Sequence, residues 1–158
     1  MKTTNIVIAG LGGQGVLTSS DILAEAAFIT GLDVKKSELH GMSQRGASVS
    51  SDVRFGRRIF SPMVPQGQAD FLMVLEATQV DINRPVLRKD GISITPEQID
   101  KKVLLHHRSL NIALLGALSR HLPDIAEPAW LQAIRAHLPA TIRDINIRIF
   151  LLARKSDA

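Results

Sequence analysis

The sequence predicts a three-layer α/β fold whose central sheet is mostly parallel and carries one β-hairpin. Three observations predict it. A short apolar strand runs through glycines into a helical pattern, a central stretch alternates polar and apolar residues, and three apolar helical stretches close the chain.

The first strand is read at Asn5-Ile6-Val7-Ile8-Ala9, short, branched and closed by glycine. A helix is expected from Gly15 to Thr30, with Leu17, Leu23, Ala24, Ala27 and Phe28 on one face and Gly31 as its stop. Leu32 to Lys36 fits a second strand. Strand, helix and strand in this order predict a βαβ unit with parallel pairing and a right-handed crossover. Ser48 to Phe55 alternates, Gly56-Arg57 makes a turn, and Arg58 to Ser61 returns as the second arm of a hairpin. Phe71 to Leu75 is another buried strand. A helix is expected from Thr78 to Arg88, after which Asp90-Gly91 turns the chain into the strand Ile92 to Thr95. Leu110 to Leu122 is apolar enough for a central helix. Pro128 suits a first helical residue, followed by the stripe Trp130, Leu131, Ile134 and Leu138. Ala140 to Lys155 carries Ile142, Ile145, Ile149 and Leu152 at helical spacing. No linker or repeat interrupts the pattern, so a single domain over residues 1–158 is expected.

Composition narrows the function. The 158 residues are 45% hydrophobic and 22% charged, which fits a packed domain better than a disordered chain. There is no cysteine. That excludes disulfides, a thiolate nucleophile, cysteine-held zinc and ordinary iron–sulfur ligation on this chain. A metal site is not expected. No apolar run is long enough to span a bilayer and the start does not read as a signal peptide, so a cytoplasmic location is expected. The net charge of +4 is spread along the chain and aromatics are only 4%, which argues against nucleic acid as a partner.

Gly10-Leu11-Gly12-Gly13-Gln14-Gly15 satisfies G-x-G-x-x-G between a strand and a helix, a Rossmann-like arrangement. Such glycines let backbone N–H groups approach an anion at the helix N-terminus. They equally serve a tight turn that only packs helix on strand, and both readings stay open here. A nicotinamide cofactor also wants an acidic residue at the end of the second strand. Lys35-Lys36 stands there instead, with Glu38 nearby. A stand-alone NAD(P)-binding protein is therefore the alternative rather than the main reading.

Ser37 to Ser48 is dense in hydrogen-bonding groups and lacks amphipathic periodicity. After a parallel strand, such a loop lies where ligands bind in doubly wound folds. His40 suits acid–base work and Gln44 with Arg45 suits an anion clamp, while the plain alternative is a loop bonded to its own backbone.

GLGGQGV (Gly10 to Val16) followed by SELHGMSQRGASV (Ser37 to Val49) resembles the γ subunit or γ domain of 2-oxoacid:ferredoxin oxidoreductases. The resemblance is nearest to the small β subunit of indolepyruvate ferredoxin oxidoreductase. SDVRFG (Ser51 to Gly56), SPMVPQGQADFLMVLE (Ser61 to Glu76), LNIALLGAL (Leu110 to Leu118), Asn146 and Phe150 extend it over nearly the whole chain. Ala47 replaces a second glycine common in the family, and Thr95 to Ser109 is short for it, so contacts from that stretch are not carried over.

The resemblance implies a complex that decarboxylates a 2-oxoacid to an acyl-CoA and reduces ferredoxin. Thiamine diphosphate with Mg and the iron–sulfur clusters would sit on larger partner subunits, leaving the isolated chain without turnover. It implies no catalytic residue on this chain. The positions expected to face a partner or coenzyme A are Gly10, Gly12, Gly13, Gln14 and Gly15, with His40, Ser43, Gln44 and Arg45 as a polar rim.

Overall fold

A computed structural model describes residues 2–40, 46–106 and 108–156. Five strands form one sheet: β1 (Thr4–Leu11), β2 (Asp33–His40), β3 (Ser48–Gly56), β4 (Ala69–Val74) and β5 (Leu87–Ile94). Their order across the sheet is β2-β3-β1-β4-β5. The sheet is mixed. β1–β4 and β4–β5 are parallel, whereas β1–β3 and β2–β3 are antiparallel. The expected mostly parallel sheet is thus realised only in its β1-β4-β5 half.

The reason lies in β3. Helix α1 (Val16–Ile29) carries the chain from β1 to β2 as expected, but β2 does not pair with β1. Residues 41–47 are too few for a crossover, which needs a dozen or more, so β3 must return antiparallel and it fills the space between them. The hairpin is therefore β2–β3, with Val34 opposite Phe55 and His40 opposite Val49. The expected return arm Arg58 to Ser61 is not a strand: Arg54 instead bonds the carbonyls of Ser61 and Met63, holding that segment across the sheet.

Alternation along β1 serves two cores. Ile6 and Ile8 face the larger one with Val53, Phe55, Met73 and Ile94. Val7 joins Val64, Ala69, Leu72 and Val74 on the opposite face. The first face is covered by α1 and by α3 (Leu110–Ser119), α4 (Glu127–His137) and α5 (Ala140–Lys155). Here α4 packs on α1 and α5 on α3. Trp130 and Phe150 are both fully buried, and their rings meet at 5.5 Å. The other face is thinner, covered by Val64 and by Val80 and Val86 around α2 (Val80–Asn83).

Three local expectations change. Thr78 to Arg88 is not one helix: α2 is flanked by 3-10 turns at Ala77–Gln79 and Arg84–Val86, with Pro85 interrupting, and β5 begins at Leu87. Asp90-Gly91 does not reverse the chain but sits in a bulge, where pairing jumps from Ala69–Leu87 to Phe71–Ile92. Phe28, Ile142 and Leu152 face outward, while Ser19, Ser20 and Asn146 take buried helix positions. No described helix is long and apolar enough to cross a membrane.

Candidate functional site

Parallel pairing sets the carboxyl ends of β1, β4 and β5 on one edge of the sheet, where ligands gather in open α/β folds. The hairpin adds a fourth piece. Because β2 runs in the same direction as β1 with β3 between, the end of β2 at His40 and the start of β3 at Ser48 lie on that same edge. The glycine turn and the described ends of the polar segment, far apart in sequence, are therefore neighbours. One hydrogen bond joins them directly, from Gly12 N–H to the Ala47 carbonyl at 2.8 Å.

Each glycine of the turn has its own environment. Gly10 ends up inside β1, where a Cβ would stand 2.9 Å from Gln14 Oε1 and 3.1 Å from the Leu75 Cβ. It serves close packing. Gly15 caps α1 at φ +91°, and a Cβ there would meet Asn111 Nδ2 at 2.5 Å. Gly13, also at φ +91°, is exposed with nothing within 4 Å of a Cβ position. Of the described positions expected to face a ligand or partner, Gly13 is the most open.

Gln14 works inward. Its Oε1 accepts the Leu11 N–H at 2.7 Å and its Nε2 donates to Glu76 Oε2 at 2.7 Å. The side chain thus straps the end of β1 to the residue that follows β4 and Leu75. His40 closes β2 opposite Val49. Ser43, Gln44 and Arg45 lie outside the described residues.

Between β2, β3 and α2 is a cleft of about 350 Å³ lined by Leu39, Val49, Gln79 and Ile82 among others. Leu39 is 72% exposed and Ile82 is 68% exposed, both large apolar side chains left at the surface. Ser48 donates to Gln79 Oε1 at 3.0 Å and so holds the start of β3 to the turn before α2.

The electrostatics near the edge are structural. Lys36 bridges Asp21 on α1 and Glu38 on β2. Burial disfavours its charge, but the hydrogen bonds and charges of the two carboxylates outweigh that and raise its pKa. The lysines at the second strand are thus not left waiting for a phosphate in the case of Lys36. Among the described residues no three His, Asp or Glu side chains converge as metal ligands.

Glu76 and Asn111 were not expected as site residues. Glu76 carried a signal, an acid directly after a buried apolar strand. Asn111 carried none, since only the packing of α3 against the glycine turn brings its amide to the Gly15 carbonyl at 3.4 Å.

Residues 5–102, more than half of the chain, match the family described as pyruvate ferredoxin/flavodoxin oxidoreductase. The chain belongs to this family. It is 32% identical to indolepyruvate oxidoreductase subunit IorB of Thermococcus kodakarensis, with 99% of this chain and 96% of that protein aligned. That alignment runs over 196 residues, so the relative carries residues that these 158 lack. The chain is 31% identical to the pyruvate/ketoisovalerate oxidoreductases common subunit gamma of Pyrococcus abyssi, over 79% of this chain and 70% of that one. In three dimensions it superposes on the 2-oxoglutarate:ferredoxin oxidoreductase of Magnetococcus marinus, solved with 2-oxoglutarate, coenzyme A and succinyl-CoA bound. The TM-score is 0.78 at 20% identity, covering 98% of this chain and 31% of that one. The last likeness concerns the fold. Together the relatives bear out the γ-type resemblance read from the glycine-bearing motifs.

Within this family the dinucleotide alternative has no support. The second strand, whose end would hold a ribose, is separated from β1 by β3, roughly 10 Å across the sheet.

Proposed function

We propose that this γ-type subunit completes the active site of a larger thiamine-bearing partner in a 2-oxoacid:ferredoxin oxidoreductase. The complex decarboxylates a 2-oxoacid to an acyl-CoA and passes the electrons to ferredoxin. Thiamine diphosphate with Mg and the iron–sulfur clusters belong to the partner subunits in this reading. A chain with no cysteine offers a cluster no thiolate, so the iron–sulfur clusters do not fit here. The edge formed by the glycine turn and residues 40–47 is the face turned toward the partner and the coenzyme A path.

The observation that carries this reading is the Gly12–Ala47 hydrogen bond, because it makes one surface of the two motifs. Gly13 supplies the exposed bend of that surface and Gly12 its link to Ala47. Gly10, Gln14 and Gly15 hold it in shape from behind. His40, Ser43, Gln44 and Arg45 supply polar groups from the neighbouring connection. A guanidinium at Arg45 has the planar fork that suits a phosphate or carboxylate.

Arg45→Ala tests the proposal. The melting curve of the chain should be unchanged, while CoA-dependent turnover of the reconstituted complex should fall by an amount equivalent to about 1–3 kcal/mol. Unfolding of the variant, or unaltered turnover, would place the partner-facing surface elsewhere. The isolated chain should neither decarboxylate 2-oxoacids nor reduce ferredoxin.

A further inference from the structure

A second cleft, of about 410 Å³, lies on the helical side of the sheet. It opens between the first turns of three helices, at Thr18 of α1, Ser109 to Ile112 around the start of α3, and Ile142 to Asn146 of α5. Asn111 joins it to the glycine turn through Gly15, and the rest of its lining takes no part in the reading of the carboxyl edge.

Its lining divides by chemistry. Ile112, Leu138, Ile142 and Ile145 make an apolar wall. Ser109, Asn111 and Asn146 make a polar one, and each is more than nine-tenths buried, at 3%, 8% and 5% exposure. These polar groups are poorly used by the chain itself. Among the described residues the Ser109 hydroxyl makes no hydrogen bond, not even to cap α3, whose first turn has no side-chain cap. Asn146 donates to the Ile142 carbonyl at 2.8 Å, but its Oδ1 accepts nothing from the described residues. Among the described residues the Asn111 side chain makes only its 3.4 Å hydrogen bond with Gly15. These polar atoms are not sealed in the core but open onto the cleft, where an occupant with polar atoms can pair with them.

The mouth adds a charge preference. Arg108 is exposed, lines the cleft, and makes no ion pair among the described residues. His106 stands beside it, its Nδ1 accepting the Arg108 N–H at 3.2 Å. The uncapped N–H groups at the start of α3 carry positive potential on the same side. One strong cation at the mouth, with apolar residues opposite, selects a single negative charge on an apolar body. The volume is at the small end of ligand pockets, which suits a compact molecule and not one of coenzyme size.

We propose that this cleft binds a small monocarboxylate with an apolar body. The carboxylate lies between the Arg108 guanidinium and the Ser109 hydroxyl, and the body lies against Ile112, Ile142 and Ile145. The site stands on this geometry alone and does not require the partner-facing role proposed above.

Calorimetric titration of the full chain decides it, with phenylacetate as the probe, phenylacetamide as its neutral counterpart and acetate as the anion without a body. Phenylacetate should bind, and phenylacetamide should bind roughly tenfold more weakly, as expected when a charge-assisted hydrogen bond is lost. Acetate should not bind measurably. Arg108→Gln should weaken phenylacetate by a similar factor, and Ile142→Glu, which sets a negative charge in the cleft at an already exposed position, should abolish binding. Both variants should melt like the parent chain. Equal binding of the acid and the amide, binding indifferent to both substitutions, or no binding of phenylacetate at all would overturn the proposal and leave the cleft a water-filled recess.

Discussion

Gln14 and Glu76 are joined by a 2.7 Å hydrogen bond that ties the turn after β1 to the end of β4. The same Gln14 amide also accepts the Leu11 N–H at 2.7 Å, so one side chain satisfies a backbone group of the strand and an acid from its parallel neighbour. This strap fixes the glycine turn without a ligand. Gln14→Leu would leave the Leu11 N–H and the Glu76 carboxylate without these partners. A loss of about 1–3 kcal/mol is expected in urea unfolding. Glu76→Gln keeps a neutral acceptor in place, so its loss should be about 1 kcal/mol or less.

The two left-handed glycines of the turn should behave differently. Gly15→Ala forces both an unfavourable backbone and a collision with Asn111, and should destabilise by about 1–3 kcal/mol. Gly13→Ala meets no neighbour, so only the backbone cost of about 1–2 kcal/mol applies. Gly13→Asn, which accepts a left-handed backbone better, should cost less again. Thermal melts of the three variants rank them. If Gly13→Asn is stable yet assembles poorly, the open side of the turn is a contact surface.

Leu39 and Ile82 should matter for assembly and not for folding. Both are largely exposed on the cleft they share with Val49 and Gln79, so Leu39→Asp with Ile82→Lys should leave the melting temperature nearly unchanged. Co-purification of the thiamine-bearing partner should drop sharply in the proposed complex. Undiminished co-purification would remove this patch from the interface.

Asp52 gives a pH test. It is half-buried on β3 and accepts the Val64 N–H at 2.8 Å. Burial raises its pKa more than the Val64 hydrogen bond and the Arg54 charge lower it. The folded state therefore holds this proton more tightly than the unfolded chain. Its stabilising effect is present below the ordinary aspartate value, fades as pH rises through the raised one, and is absent above. Asp52→Asn keeps an oxygen for Val64 and should flatten that part of the stability profile. Melts of parent and variant across the weakly acidic range should converge at the acid end and separate above it.

Strand and helix identities were legible where side-chain periodicity is strong. β1, β3, β4, α1 and α5 lie within a residue or two of the expected spans, because alternating or helical burial is written locally into each of them. The segment from Thr78 to Arg88 was misread since its apolar residues fit a helical period while Pro85 interrupts the regular hydrogen-bond pattern. The glycine and polar motifs were visible too, as residue types placed after strands.

By itself, then, the sequence determined which segments bury, that a glycine bend follows β1, and which family the motifs resemble. Only the tertiary structure decided that β3 enters between β1 and β2 in antiparallel sense, since nothing local states which strand pairs with which. That insertion brings Ala47 to Gly12 and makes one edge of two distant motifs. It also separates the inward side chain, Gln14, from the outward bend at Gly13. Residue type told what each group can do, but the direction in which it points depended on contacts such as Gln14 with Glu76 and Gly15 with Asn111, formed between residues far apart in the chain.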